Sequence, residues 1–277
     1  GTAGWMAANL MAQRWSGRGI EIMLVESPDI GIIGVGEGST PQLKAFFDKI
    51  GAEEADWMPR CHATYKVGIR FAGWSTRAGF EHYFHPFPAQ PDERNYKAFI
   101  YHCWLRRIGV DVDVGPDRFF LPACLAAHRL GPKPARNFPF DVLYGYHFDA
   151  QLLGSYLRDF AVSCGVVHKR GRVTETVRSE QGDIVAVRLD DGELVHADFF
   201  VDSTGFRSLL LQQCLGVPFR SFEANLFNDS AVVMPTPQGP EPDSQTISTA
   251  MKHGWAWHIP LTSRVGNGYV YSSGGDP

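Results

Sequence analysis

The chain opens with "GTAGWMAANL" (residues 1–10), and this stretch decides the fold. Gly1-Thr2-Ala3-Gly4 reads as the end of a glycine-rich turn running into a helix over residues 2–15. The first turns of that helix carry only small residues at Ala3, Gly4, Ala7 and Ala8. The segment "IEIMLVE" (20–26) follows, a continuous apolar run ending in Glu26, which reads as a buried parallel strand. A glycine turn at a helix start offers backbone N–H groups and the positive end of the helix dipole to an anion. An acid at the end of the next strand, about 20 residues on, suits a ribose hydroxyl. Gly4 and Glu26 meet that spacing, so the pattern reads as a dinucleotide cradle. The plainer alternative is a tight turn and a surface glutamate.

A second segment points the same way. "VDSTGFRS" (201–208) reads as the end of a buried strand at 199–205, an acid, and a small-residue turn before a helix. Asp202 could accept hydrogen bonds from ribityl hydroxyls of a flavin, or simply cap the helix. Between these segments lies "GIIGVGEGSTP" (31–41), with Thr40 placed to cap a helix and Pro41 suited to its first turn. Leu43, Phe46, Phe47 and Ile50 give that helix one apolar face, and Gly51 ends it.

From about residue 75 to 142 prolines, aromatics and histidines crowd together, which reads as an inserted segment walling a pocket, with a helix near 95–108. Helical spacing returns at 149–164, capped by Asp149. Short strands then alternate through "RVTETV", "IVAVRLD" and "ELVHAD", with a turn at Asp191-Gly192. The expected organisation is a nucleotide-binding module at 1–74 and 143–220, an insertion at 75–142, and the start of a strand-rich region at 221–277.

Composition narrows the function. With 277 residues, 44% of them hydrophobic, the chain can bury a large core. A formal charge of −4 gives no basic footprint for nucleic acid. No apolar run reaches the roughly 18 residues of a membrane helix. Cys61, Cys103, Cys124, Cys164 and Cys214 are dispersed without a CxxC pair, as in a cytoplasmic protein with reduced thiols. His82 and His85 lack the further ligands of a metal site, so no metal is expected.

The chain resembles the flavin-dependent tryptophan halogenase family. The resemblance is carried by "GTAGWMAANL", "GVGEGSTPQL", "ATYKVGIRFAGW", "FHPF", "YHFDAQLL", "VDSTGFRSLL" and "GWAWHIPLTSRVGNGYVYSS". Trp255, Trp257, Ile259 and Pro260 supply its most specific element, W-x-W-x-I-P. It implies an α/β fold: a Rossmann-like, flavin-monooxygenase-like FAD module with an additional mixed sheet and a Pro/aromatic-rich insertion. It also implies reduced FAD from a separate flavin reductase, with O2 and chloride or bromide as co-substrates. The product would be a hypohalous acid that a lysine hands to a small aromatic substrate such as an indole. A homodimer is left open.

Residue by residue, the resemblance gives Lys66 the lysine's part and puts His85 and Phe87 beside the aromatic ring. It puts Thr2, Ala3, Ser27, Ile30, Ile33 and Val173 at flavin-contacting positions. Val35, Gly36, Glu37 and Gly38 fall in a strap that crosses the flavin. The family commonly has Ala-Thr-Ile-Pro where this chain has Gly38-Ser39-Thr40-Pro41. It implies as well that the strand before Gly1, an essential glutamate and a halide-binding Thr-Gly segment lie outside the 277 residues, so that these alone neither fold cooperatively nor halogenate.

The residues around Lys66 alternate, with Tyr65, Val67, Ile69 and Phe71 on one parity and Lys66, Gly68 and Arg70 on the other. A single strand would send Lys66 and Arg70 to one face. His147, in "YHFDA", reads as a packing residue before a helix. Trp255 and Trp257 read either as a screen near the oxidant or as core. The competing functions are an aromatic monooxygenase on the same fold and a flavin-binding relic without activity.

Overall fold

A computed structural model of the chain describes residues 1–31, 34, 37–134 and 136–274. In chain order the helices are α1 (Thr2–Trp15), α2 (Gln42–Ile50), α3 (Glu54–Arg60), α4 (Asp92–Arg107), α5 (Leu121–Ala127) and α6 (Ala150–Ser163). The strands are β1 (Met23–Glu26), β2 (Thr64–Lys66), β3 (Gly68–Ala72), β4 (His82–Pro86), β5 (Gly145–His147), β6 (Val167–Arg170) and β7 (Val173–Arg178). They continue with β8 (Ile184–Leu189), β9 (Leu194–His196), β10 (Ser230–Val233), β11 (Gln245–Met251), β12 (Gly254–Pro260) and β13 (Val265–Tyr271). Contacts divide the chain into two units, Gly1–Gly34 with Ala150–Phe222, and Val35–Asp149 with Glu223–Pro277.

In the first unit β1 and β6 pair in parallel, and β7, β8 and β9 form an antiparallel meander. The small residues of α1 let α6 come close. Ala8 and Ala12 are buried with Leu153, Leu157 and Ala161. Buried Asn9 ties the two helices, its Nδ2 donating to the Trp5 carbonyl and across to the Leu157 carbonyl at 2.9 Å each. Trp5 is almost fully buried on the same face.

The second unit holds a six-stranded mixed sheet in the order β10-β13-β12-β11-β3-β4, with β3 parallel to β11 and the other neighbours antiparallel. A separate antiparallel pair, β2 with β5, lies in the same unit. The packing of Trp257 sets the middle of the large sheet. It pairs directly with Gly268 on β13, and a β-carbon there would come within 1.9 Å of the indole ring. The indole therefore lies flat over the glycine. Trp257 is buried and Trp255, two residues back on the same face, lies 6.0 Å away between ring centres.

The structure departs from the sequence reading in four places. Residues 199–205 form no strand, and Phe199 is 73% exposed. A continuous apolar run needs hydrogen-bonded neighbours to become a buried strand, and none of the described strands lies beside it. Thr40 does not cap α2: the cap position falls on Pro41, and the Thr40 hydroxyl donates to Gln42 Oε1. Residues 64–72 are two strands rather than one, because at Val67 the backbone changes partners. Its N–H donates to Ser244 O and its carbonyl accepts from Phe87 N–H. Lys66 and Arg70 therefore belong to different sheets, and Arg70 pairs with Asp117 at 2.7 Å. Lastly, residues 37–74 pack within the second unit, because β2 and β3 take their partners from β5, β4 and β11. The sequence reading had grouped 35–74 with the nucleotide-binding module.

Gly268→Ala should displace the Trp257 ring and cost about 1–3 kcal/mol or more. Urea unfolding of the full-length protein checks this as a lower midpoint at unchanged slope. An unchanged midpoint would mean that the indole does not rest on the glycine.

Candidate functional site

The second unit builds one buried polar centre around β5. On one edge β5 pairs with β2, setting Thr64 opposite His147 and Lys66 opposite Gly145. On the other edge the backbone of residues 38–39 closes against it. Ser39 N–H donates to Tyr146 O at 2.8 Å, its hydroxyl accepts from Tyr146 N–H, and Gly38 bridges to His147. Gly145 makes this approach possible, since a β-carbon there would meet Ser39 O at 2.7 Å.

Lys66 is 5% exposed. Its Nζ lies 5.6 Å from the centre of the Phe87 ring. Among the described residues no acceptor is hydrogen-bonded to it and no carboxylate pairs with it. Burial therefore dominates its titration and lowers the amine from its ordinary 10.5 to about 8. His147 is fully buried beside it, held between two hydroxyls: Nδ1 is 2.9 Å from Thr64 Oγ1 and Nε2 is 3.0 Å from Thr246 Oγ1. Burial first, then the charges of Lys66 and His258, pushes this imidazole well below the usual histidine range.

Glu37 leads into this centre and is fixed by charge. Arg264, after β12, donates to both oxygens of Glu37 at 2.9 and 3.0 Å and to Asp149 at 3.0 Å. The bonds to Glu37 first, and the nearby carboxylates with them, raise the guanidinium further above its already high pKa. On the opposite face of β2, a cleft of about 800 Å³ is lined by Lys44, Asp48, Glu54, Tyr65 and Lys133. There Glu54 accepts from the hydroxyls of Tyr65, Tyr144 and Tyr146, and Lys66 takes no part.

The sequence-derived residues separate between the units. Lys66, Phe87 and Gly38 come together in the second. His85 lies on β4, exposed, with its ring 6.4 Å from that of Phe87. Gly1, Thr2, Ala3, Gly4, Glu26, Ser27, Ile30, Val173 and Asp202 belong to the first unit, and Ile33, Val35 and Gly36 lie outside the described residues.

In the first unit Gly1 stands at the cap position of α1 and offers no side-chain cap, and the first turn carries no acid. Thr2 Oγ1 is buried there without a partner among the described residues. An uncapped helix start with an orphan hydroxyl fits an anionic oxygen ligand such as a pyrophosphate. Glu26 accepts from Gly1 N at 2.9 Å and from Trp5 Nε1 at 3.2 Å. Asp202 takes four donors from the chain itself: the N–H and hydroxyl of Thr204 and the N–H groups of Leu210 and Leu211. It works as a cap for the helical turn at Leu209–Cys214.

The sequence reading missed Thr64, Thr246 and Arg264. A signal existed in "SQTIS" (244–248). Ser244, Thr246 and Ser248 alternate on one parity, and all three are buried. An inward polar row on a strand marks a polar interior.

With this geometry in place, the comparisons identify the family. The chain matches the tryptophan halogenase family over residues 1–275 and belongs to it. It is 37% identical over 298 residues to tryptophan 7-halogenase RebH of Lentzea aerocolonigenes, covering 99% of this chain and 54% of that protein. It is 34% identical over 290 residues to tryptophan 7-halogenase KtzQ of Kutzneria sp. (strain 744), with the same coverage. Among solved structures it superposes on Xcc4156, a flavin-dependent halogenase from Xanthomonas campestris, with a TM-score of 0.86 at 38% identity, covering 100% of this chain and 55% of that one. For tryptophan 6-halogenase SttH from Streptomyces toxytricini the TM-score is 0.84 at 34% identity, covering 99% and 56%. The chain thus spans about half the length of the curated relatives it matches. The likeness establishes the expected α/β fold with its Rossmann-like flavin-binding type and mixed sheet. No helix among the described residues is long and apolar enough to cross a membrane.

The lowered amine has a consequence for stability. The folded protein holds Lys66 with a pKa below the unfolded value of 10.5, so between about 8 and 10.5 the unfolded chain binds more protons and stability rises with pH. Lys66→Met should therefore stabilise the full-length protein at neutral pH by up to about 3 kcal/mol. That gain should fade as pH climbs through this window. Denaturant midpoints of both proteins at neutral and at alkaline pH check it, and a gain independent of pH would contradict the buried charge.

Proposed function

We propose that the protein is an FAD-dependent halogenase of an indole- or tryptophan-like aromatic, with Lys66 as its catalytic residue. One observation carries the reading: an amine buried with no acceptor and no counter-charge among the described residues, beside the aromatic ring of Phe87. Such an amine is costly to keep. It lies in a chain belonging to the tryptophan halogenase family. Reduced FAD from a separate flavin reductase, together with O2 and chloride or bromide, supplies hypohalous acid.

In this reading the uncapped start of α1, with Thr2, Ala3 and Gly4, receives the pyrophosphate, and Glu26 the ribose. Ser27, Ile30, Ile33, Val35, Gly36, Glu37, Gly38 and Val173 belong to the flavin's surroundings. Asp202 supports the flavin through the turn it caps. His85 and Phe87 flank the aromatic substrate, Phe87 offering it an apolar face. The protein works in the cytoplasm.

At neutral pH an amine with a pKa of about 8 is mostly ammonium. Lys66 then donates a hydrogen bond to the oxygen of hypohalous acid, which makes the halogen more electrophilic. The ring's π pair forms the carbon–halogen bond. The oxygen–halogen bond breaks with its pair going to oxygen, which takes a proton from Lys66 and leaves as water. The ring carbon then releases its own proton to a base and aromaticity returns. No acceptor holds the ammonium back among the described residues, so its N–H bonds are available for this donation.

Lys66→Ala in the full-length protein should abolish halogenation while oxidation of reduced flavin continues; hydroxylated product surviving the change would favour a monooxygenase. In the wild type, halogenation at saturating substrate should fall as pH rises through about 8. A rate that instead rises there would mean that the neutral amine is the working form, as in a haloamine route.

A further inference from the structure

The ribbon that carries Lys66 is very short. β2 and β5 are three residues each and form a two-stranded sheet with one another. A ribbon of that size is not stable alone in water. Thr64, Lys66, Gly145 and His147 share the face toward the buried polar centre. By the alternation of a strand, Tyr65, Tyr146 and, one residue before β5, Tyr144 share the other.

All three phenols of that other face end on one carboxylate. Glu54 Oε1 accepts from Tyr144 at 2.7 Å and from Tyr146 at 2.6 Å. Oε2 accepts from Tyr65 at 3.2 Å and pairs with Lys133. A carboxylate has about four acceptor sites, and these donors fill them. The rings cross edge to face, Tyr144 standing 5.4 Å from Tyr65 and 5.6 Å from Tyr146. Glu54 itself is well anchored. One turn further along α3, Trp57 is fully buried, stacked on Phe47 of α2 at 4.2 Å and edge-on to Tyr146 at 4.7 Å. Burial works against the Glu54 charge, but Lys133 and the phenols outweigh it and hold the carboxyl below its usual range. Burial and that charge push the phenols up, Tyr65 to about 12, so each remains a donor.

We propose that Glu54 is a positioning residue for Lys66: through Tyr65 on β2 and Tyr146 on β5 it clamps both strands of the ribbon and so keeps water from the amine on the opposite face. The effect on turnover rests on the lysine reading above; the effect on the amine does not. Burial alone lowers the titration of Lys66, and His147, the titratable group beside it, is neutral. A loosened ribbon therefore acts on the amine through water. The sign separates this from a direct charge effect. Removing a carboxylate charge by itself disfavours a nearby cation and moves the Lys66 midpoint down, whereas hydration moves it up toward 10.5.

The test uses the full-length protein, with nitrogen-15 NMR of the lysine side chain and steady-state halogenation. Tyr65→Phe keeps the ring and every charge. It should raise the Lys66 midpoint above about 8 and lower turnover by about tenfold, with KM for the aromatic and the rate of reduced-flavin oxidation unchanged. Glu54→Gln, which sets an amide N–H where Tyr65 and Lys133 donate, should do the same more strongly. Adding Tyr65→Phe to Glu54→Gln should lower turnover little further, since the phenol acts through that carboxylate. Variants that unfold at lower urea but keep a midpoint of about 8 and wild-type turnover overturn the proposal, as does a midpoint that falls. If Glu54→Gln does not fold, Tyr65→Phe decides alone. If Lys66→Ala still halogenates, the lysine reading has failed, while the NMR midpoint still judges the clamp.

Discussion

Keeping one amine inside protein without a counter-charge is the constraint on which the second unit turns. Every neighbour of Lys66 makes sense only if that amine must stay buried and stay available. A carboxylate at hydrogen-bond distance would stabilise the fold and hold the ammonium in a fixed pair. None fills that place among the described residues, and burial alone sets the titration of the amine at about 8. Phe87 gives it an aromatic face, His147 is kept neutral, and Gly38 withholds a side chain.

The scaffold around this centre is correspondingly specific. The three residues of β5 are pinned on both edges, by β2 and by the backbone of residues 38–39. Arg264 holds Glu37 with two hydrogen bonds and Asp149 with a third, so both approaches to β5 are fixed by the same guanidinium. Arg264 in turn follows β12, whose position in the sheet depends on Trp257 lying over Gly268. A residue of the W-x-W-x-I-P motif therefore does structural work in the middle of the large sheet. Its burial favours the core reading of Trp257 over a screen for the oxidant.

Much of this was legible in the sequence, for identifiable reasons. α1 was legible from the glycine turn and small residues that open it, and α2 and α6 from their apolar spacing, with Gly51 ending α2. The hairpin turn at Asp191-Gly192 followed from its residue types, and Gly192 does adopt a positive φ. Lys66 was found through resemblance, since an alternating segment alone cannot tell a buried lysine from an exposed one. The break at Val67 was invisible because it comes from partners far away in sequence, Ser244 and Phe87. The apolar run at 199–205 misled for the same reason: composition shows that a strand is affordable, while hydrogen-bonded neighbours decide whether it forms. Thr246 was missed because alternation was read for apolar residues, whereas here the buried parity is polar.

The central claim is that Lys66 is a desolvated, unpaired amine, and its own titration tests that most directly. Nitrogen-15 NMR of the lysine side chain in the full-length protein, assigned with a Lys66→Arg control, should give a midpoint of about 8. A midpoint near 10.5, the value of a lysine in water, would show that the amine is solvated and would remove the basis for its role.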